Sequence, residues 1–156
     1  MLKYLLLTLA LCAVAHADDE WVPKNSEEIK KIRIECLKEH PLSSEQIVSL
    51  KQLIFLDQAD VREYLYCFAQ KLGIFCSHEG YHADRLAKQF RMDLSEEEAL
   101  EIAQGCIDKN EEGSPADVWA FRGHKCLMAS KIGDKVKAFL KAKQEAAEAE
   151  AAKARA

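Results

Sequence analysis

The chain has 156 residues, of which 49% are hydrophobic and 31% are charged, and its formal net charge is −4 with the histidines neutral. This length fits one domain with its own hydrophobic core. A negative net charge argues against binding to a phosphate backbone, so we expect no nucleic-acid partner.

Residues 1–17 have the pattern of a cleaved secretory signal peptide. Lys3 provides the basic start, an apolar run covers residues 5–14, and Ala15-His16-Ala17 forms a small-residue cleavage site. The apolar run is shorter than the roughly 20 residues that a membrane-spanning helix needs. We therefore expect an exported protein of residues 18–156, with no membrane span, in an extracellular body fluid such as sensory lymph or blood.

Helix-capping residues begin two short helices early in the exported part. Asn25 with Glu28 predicts a capping box for a first helix that ends before Pro41, and Ser43 or Ser44 begins a second. The apolar residues of the second helix recur three or four apart, which predicts a core-facing stripe of Ile47, Leu50, Leu53 and Ile54.

Similar signals predict four more helices. The third begins near Asp57 or Asp60 and ends at Leu72, where Gly73 suits a left-handed cap. A short fourth helix follows the loop at 73–80. Ser95 predicts the start of a fifth helix and Ser114 that of a sixth. No segment alternates with the period of two that a strand requires, so the fold class is all-α.

Residues 135–156 are rich in Ala, Lys and Glu, which favours a helix. Their large apolar side chains are Val136, Phe139 and Leu140. We expect this segment to be a C-terminal helix or tail whose far end is solvated, attached to a helical domain of residues 18–134.

The cysteines raise a pairing question. Cys12 would leave with the signal peptide, and the exported part would retain Cys36, Cys67, Cys76, Cys106 and Cys126. An odd number in an oxidising compartment predicts up to two disulfides and a leftover thiol, and several pairings are open.

The cysteine spacing and the order of the helices resemble the insect odorant-binding protein family, which includes pheromone and general odorant-binding proteins. The resemblance covers residues 25 to about 132. Two of the family's six cysteines are absent, and Glu63 and Asp117 stand where the second and fifth would be. Those two bond to each other in the family, so the chain resembles the Minus-C subgroup.

This resemblance implies a compact bundle of about six short helices around an apolar cavity. It also implies disulfides Cys36–Cys67 and Cys106–Cys126, with Cys76 as the free thiol. If the carboxylates of Glu63 and Asp117 were in contact, they would repel each other. At least one of them should therefore turn to solvent or meet a basic side chain.

The same resemblance implies that the cavity holds a small hydrophobic ligand. Large apolar residues on inward stripes are the candidates to contact it, although each could also be ordinary core: Ile32, Leu50, Leu65, Phe68, Leu72, Phe75, Leu86, Phe90, Met92, Trp119 and Leu127. Polar partners for the ligand would come from Tyr64, Tyr66, Gln70 and Ser130.

Catalytic and metal-binding patterns are weak. Cys76, His78 and His82 form C-x-H-x3-H, but three local donors are few for a metal, and we interpret them as incidental. His124 is expected to be solvated. There is no G-x-S-x-G or H-E-x-x-H motif, so we expect no enzyme, no catalytic residue, no cofactor and no metal.

The sequence therefore predicts a secreted carrier for a small hydrophobic ligand such as an odorant, pheromone, fatty acid or terpenoid. The alternative is a secreted helical protein-interaction module with a filled core. A weak homodimer and a membrane receptor are further partners that the carrier interpretation allows.

Overall fold

The structure is a computed structural model that describes residues 21–155. The predicted signal peptide lies outside these residues. Within them the chain forms seven helices and one short hairpin: α1 (Ser26–Glu39), α2 (Ser44–Lys51), α3 (Ala59–Lys71), β1 (Phe75–Cys76), β2 (Gly80–Tyr81), α4 (Ala83–Phe90), α5 (Glu96–Gly105), α6 (Ala116–Ala129) and α7 (Lys131–Arg155). The all-α class is confirmed.

Side-chain caps fix the starts of the first helices as predicted. The Asn25 carboxamide accepts the backbone N–H of Glu28, whose carboxylate accepts the N–H of Asn25. Ser43 and Gln46 form the same reciprocal pair at α2. Each box satisfies two backbone donors that a helix start leaves without partners.

The end of α3 is a Schellman motif centred on Gly73. The N–H of Ile74 donates to the carbonyl of Ala69, and the N–H of Gly73 donates to that of Gln70. Gly73 has φ +71°, in the left-handed region that glycine adopts at low cost. The predicted cap at this residue is confirmed.

The hairpin is absent from the sequence prediction. Phe75 pairs with Tyr81 and Cys76 with Gly80 in antiparallel register. Each strand has two residues, which is too short to show an alternating pattern, so the segment resembled a loop.

The predicted stripe of the second helix was wrong at its end. The helix stops at Lys51, Leu53 has φ +59°, and the chain turns away so that Ile54 is half exposed. Three-to-four spacing orients residues on one face only while the helix continues.

The core surrounds α3, which packs against α1 and α6, while α4 packs against α5 and α6 against α7. The Cys36–Cys67 disulfide joins α1 to α3, and Cys106–Cys126 joins the end of α5 to α6. Both bonds agree with the implied pairing. Among residues 21–155, Cys76 is the cysteine outside a disulfide.

Ion pairs involve both acidic residues, Glu63 and Asp117, that stand where the resemblance expects cysteines. The Asp117 carboxylate of α6 accepts a hydrogen bond from Arg62 of α3 at 2.9 Å, and Glu63 lies 3.3 Å from His40 Nδ1. Arg62 also binds Asp57. As the sequence predicts, the carboxylate of Asp117 meets a basic side chain, and this contact connects α3 to α6 without a covalent bond.

The C-terminal helix α7 starts only one residue after α6 ends and is longer than predicted. Ile132 and Gly133 are buried near its start, whereas residues 141–155 are exposed. None of the helices in the described part of the chain combines the length and apolar character needed to cross a bilayer.

Candidate functional site

A pocket of about 580 Å³ lies between the helices. Its wall comes from α1, α2, α3, α4, α6 and α7, together with the segment after α2 and the hairpin. α3 contributes four neighbouring wall residues, Tyr64, Leu65, Phe68 and Ala69. This spacing places them on one face of the helix, turned toward the pocket.

Six of the eleven residues predicted to contact a ligand line this pocket, and they come from four different helices: Leu50, Leu65, Phe68, Leu86, Phe90 and Leu127. The structure therefore brings together side chains that are up to 77 positions apart in the chain, since Leu127 and Leu50 share one wall.

The other five predicted residues do not line the pocket. Ile32 and Leu72 are buried in the surrounding core, and Met92 is exposed on the surface. Phe75 is wedged between Tyr81, at a ring distance of 4.9 Å, and Trp119, at 5.4 Å. Packing accounts for the apolar character of Ile32, Leu72 and Phe75, and a stripe pattern does not distinguish such packing from pocket lining.

Trp119 lies one layer behind the wall for a specific reason. Its indole N–H donates to the backbone carbonyl of Asp108 at 2.7 Å, and its ring sits against Gly80. These contacts hold the ring between α6 and the hairpin, away from the pocket. In the structure, Trp119 is therefore not part of the pocket wall.

Of the predicted polar partners, only Tyr64 lies on the wall. Burial raises the pKa of its phenol, and the nearby Arg33 opposes this effect. The Ser130 hydroxyl instead donates to the backbone carbonyl of Leu127.

Sequence reasoning missed the contribution of α7. Ile132, Val136, Leu140 and Gln144 line the pocket, each one turn after the last. The signal was present in the sequence as a strict spacing of four, which places residues along one helix face. The surrounding residues mask this spacing, because their Ala-, Lys- and Glu-rich composition is typical of a solvated tail.

His124 is a second missed wall residue, and the expectation that it is solvated was wrong. Its Nε2 is buried without a hydrogen-bond partner among residues 21–155, although part of the ring is accessible from the pocket side. The ring packs edge-on against Phe55 at 4.3 Å. Burial lowers the pKa of His124 from 6.5 to about 4, so the imidazole is neutral at pH 7.

Two cations belong to this largely apolar wall. Arg33 of α1 and Lys51 at the end of α2 both line the pocket and both have exposed side chains. Neither forms a salt bridge with another residue in the range 21–155, unlike Arg62, Lys71 and Arg122. The Arg33 guanidinium lies over the Phe68 ring at 5.7 Å, a cation–π distance.

Two groups of side chains have metal-ligand spacing in the described part of the chain: Glu39, His40 and Cys67, and Cys76, Glu79 and His82. Cys67 is held in a disulfide, so its sulfur is not a thiolate donor. The second group retains a free thiol and lies on the hairpin, outside the pocket wall.

Helices joined by two disulfides around an apolar pocket define a class of small, disulfide-linked helical proteins. Comparison with known proteins gives the family: the PBP/GOBP family model matches residues 18–130, and the chain belongs to this family.

Two relatives match most of the chain. General odorant-binding protein 99a of Drosophila melanogaster is 28% identical over 128 residues, covering 80% of this chain and 89% of that protein. Odorant-binding protein 22 of Aedes aegypti is 28% identical over 131 residues, covering 84% of this chain and 93% of that protein.

Proposed function

We propose that this protein is an exported carrier that binds a small hydrophobic ligand in the pocket and does not convert it chemically. The observation that carries this proposal is the pocket itself, whose wall combines large apolar side chains from six helices. Its volume of about 580 Å³ falls in the ordinary range for small-ligand sites. Both relatives are odorant-binding proteins by name, which supports the same role.

The pocket also favours the carrier over the alternative of a protein-interaction module with a filled core, because the side chains themselves do not fill the space between the helices. Interiors are normally packed to the density of organic crystals, and an empty apolar space costs stability. Burial of a hydrophobic ligand there recovers that cost at about 25 cal/mol for each Å² of apolar surface removed from water.

Binding of a fluorescent hydrophobic probe, and its displacement by unlabelled ligands, tests whether the protein is a carrier. We expect saturable probe binding that Ala69→Phe weakens at least tenfold, because Ala69 lies on the wall and the larger ring fills the pocket. Ala129→Phe, on the exposed side of α6, is the matched control and should leave binding unchanged. Absence of a saturable probe site, in protein shown to be folded, would rule out the carrier.

The wall chemistry favours a ligand with an anionic end, such as a fatty acid. Arg33 and Lys51 offer charge without an acidic partner in residues 21–155, and hydrogen bonds to ionised groups are stronger than neutral ones. The Tyr64 hydroxyl adds a polar group on the same wall. The rest of the wall would hold the hydrocarbon chain.

Paired ligands test this preference. We expect a long-chain fatty acid to bind about tenfold more tightly than its methyl ester, since one charge-assisted hydrogen bond contributes about 1.5 kcal/mol. Arg33→Gln and Lys51→Gln should reduce that preference, and Lys31→Gln, an exposed change on α1 away from the wall, should not. Equal affinities for acid and ester would contradict the anionic ligand while leaving the carrier intact.

We also assign the chain to the Minus-C subgroup. Acidic residues at 63 and 117 support this assignment, together with the Arg62–Asp117 pair that joins α3 and α6 in place of a bond. A dimer and a receptor remain further proposals, which sedimentation of the purified protein and binding to receptor-bearing cells would test.

A further inference from the structure

The β1–β2 hairpin gathers three metal-binding side chains that the pocket does not use. Cys76 ends β1, Glu79 lies in the turn, and His82 follows β2 as the residue before α4. One donor atom from each lies within 4.8 Å of the other two. The antiparallel pairing of Cys76 with Gly80 produces this convergence, which residue spacing alone did not reveal.

The distances suit a small tetrahedral ion. With zinc bonds of about 2.0 to 2.3 Å, the ligand atoms of a tetrahedron stand about 3.3 to 3.8 Å apart. Glu79 Oε2 and His82 Nδ1 are 3.8 Å apart. Glu79 is 74% exposed, so its carboxylate has room to rotate by the remaining distance toward the sulfur.

The donor types indicate which metal fits. A thiolate, an imidazole and a carboxylate together are typical zinc ligands, whereas Mg²⁺ and Ca²⁺ prefer oxygen alone. The backbone N–H of Glu79 donates to Cys76 Sγ at 3.3 Å, a contact that stabilises negative charge on the sulfur.

We propose that Cys76, Glu79 and His82 form a zinc site on the hairpin, with water as the fourth ligand. As the Zn–S bond forms, the Cys76 thiol releases its proton to solvent, and neutral His82 binds through the Nδ1 lone pair. No oxidation or reduction takes place. None of the three donors lines the pocket.

Metal binding would stabilise one end of the fold. His82 precedes α4, which carries the wall residues Leu86 and Phe90, and Gly80 packs beneath the ring of Trp119. Zinc would therefore fix the start of α4 relative to α6. It would also protect the free thiol from forming intermolecular disulfides.

The direct test is a cobalt titration of the monomer. Mass spectrometry first confirms that the Cys76 thiol is free. We expect a thiolate-to-cobalt charge-transfer absorption that saturates at one equivalent and disappears when Zn²⁺ is added. Cys76→Ser should abolish the band, and His82→Ala should weaken cobalt binding at least tenfold. His82 makes no side-chain cap to α4, so its replacement leaves the helix start intact.

His78→Ala is the matched control, because His78 is exposed in the same turn but is not one of the three converging donors. It should bind cobalt as the unmodified protein does. The site is overturned if no charge-transfer band appears, if Cys76→Ser retains it, or if His78→Ala weakens binding as much as His82→Ala. As a second readout, Zn²⁺ should raise the unfolding temperature of the unmodified protein and slow the alkylation of Cys76. An equal rise in the unfolding temperature of Cys76→Ser would also overturn the zinc site.

Discussion

Gly80 is constrained by both its backbone and its neighbour. Its φ is +79°, and a Cβ atom there would lie 2.4 Å from the Trp119 ring. Left-handed backbone costs a non-glycine residue about 1–2 kcal/mol, and overpacking adds about 1–3 kcal/mol. We expect Gly80→Ala to lower the free energy of unfolding by about 2–5 kcal/mol in urea denaturation.

Substitutions at two other glycines separate the backbone cost from the cost of the contact with Trp119. Gly113 has φ +64° with open space around it, so Gly113→Ala should cost only the backbone component. Gly105 ends α5 with neither constraint, and Gly105→Ala should be neutral or stabilise by about 0.5–1 kcal/mol. Equal costs for Gly80→Ala and Gly113→Ala would show that the ring of Trp119 moves freely.

His124 should make stability depend on pH. Its pKa is about 4 in the folded protein and about 6.5 when exposed, so between these values the unfolded chain binds the proton and the folded chain does not. Stability is therefore fully present above pH 6.5 and falls as the pH drops toward 4, by about 3 kcal/mol in all.

Urea denaturation at pH 7.5 and pH 5 measures this effect. We expect His124→Leu to lose less stability than the unmodified protein over this interval, while exposed His78→Ala changes nothing. At pH 7.5, His124→Leu should be at least as stable, because it removes a buried nitrogen that lacks a partner in residues 21–155. An unchanged pH response would show that His124 is not buried in solution.

At the scale of elements, α7 forms part of the pocket wall, although its composition predicted a solvated tail. Val136 and Leu140 face the pocket, whereas Phe139 between them is 46% exposed. We expect Val136→Ala with Leu140→Ala to weaken binding of the hydrophobic probe by about tenfold or more, since several apolar contacts of about 0.8 kcal/mol per methylene are lost.

Phe139→Ala removes a larger side chain from the same helix and is the control. It should leave probe affinity unchanged, because the ring faces away from the pocket. If Phe139→Ala weakens probe binding more than the double variant does, α7 is rotated about its axis relative to the structure.

The contact between α3 and α6 gives a further prediction. Under the Minus-C assignment that we propose, Glu63→Cys with Asp117→Cys should form a third disulfide, raising the free energy of unfolding by about 3–4 kcal/mol in the chain-entropy model. Loss of the Arg62–Asp117 pair offsets a small part of this gain. Failure to oxidise in the refolded monomer would contradict the matching of these two positions to the family's cysteines.

At the scale of the whole molecule, the two disulfides differ in burial. Cys36 and Cys67 are enclosed between α1 and α3, whereas Cys126 of the other bond is exposed. We expect mild reduction of the folded protein to open Cys106–Cys126 first. Alkylation and peptide mapping would report this order, and equal labelling of all four cysteines would contradict it.

The same mapping identifies the unpaired cysteine. Alkylation of the unreduced, denatured monomer should label Cys76 alone, because the remaining cysteines of the described chain are bonded. Label on Cys36 or Cys67 would overturn the pairing.

The sequence by itself determined the features that depend on near neighbours. Capping at Asn25 and Ser43, the stop at Gly73 and the spacing of the cysteines are encoded within a few residues or in a countable pattern, and they predicted the helices and, through the family resemblance, the disulfides. Such signals are readable because local hydrogen bonds and backbone preferences act on the chain directly.

Only the tertiary structure decided which apolar residues enclose space and which fill it. Trp119 and Leu127 lie on the same helix and are both apolar, yet one is held behind the hairpin by Asp108 and Gly80 and the other faces the pocket. The burial of His124, the use of α7 and the meeting of Cys76 with His82 likewise arise from packing between segments distant in sequence, because side-chain surroundings depend on how helices are placed in space.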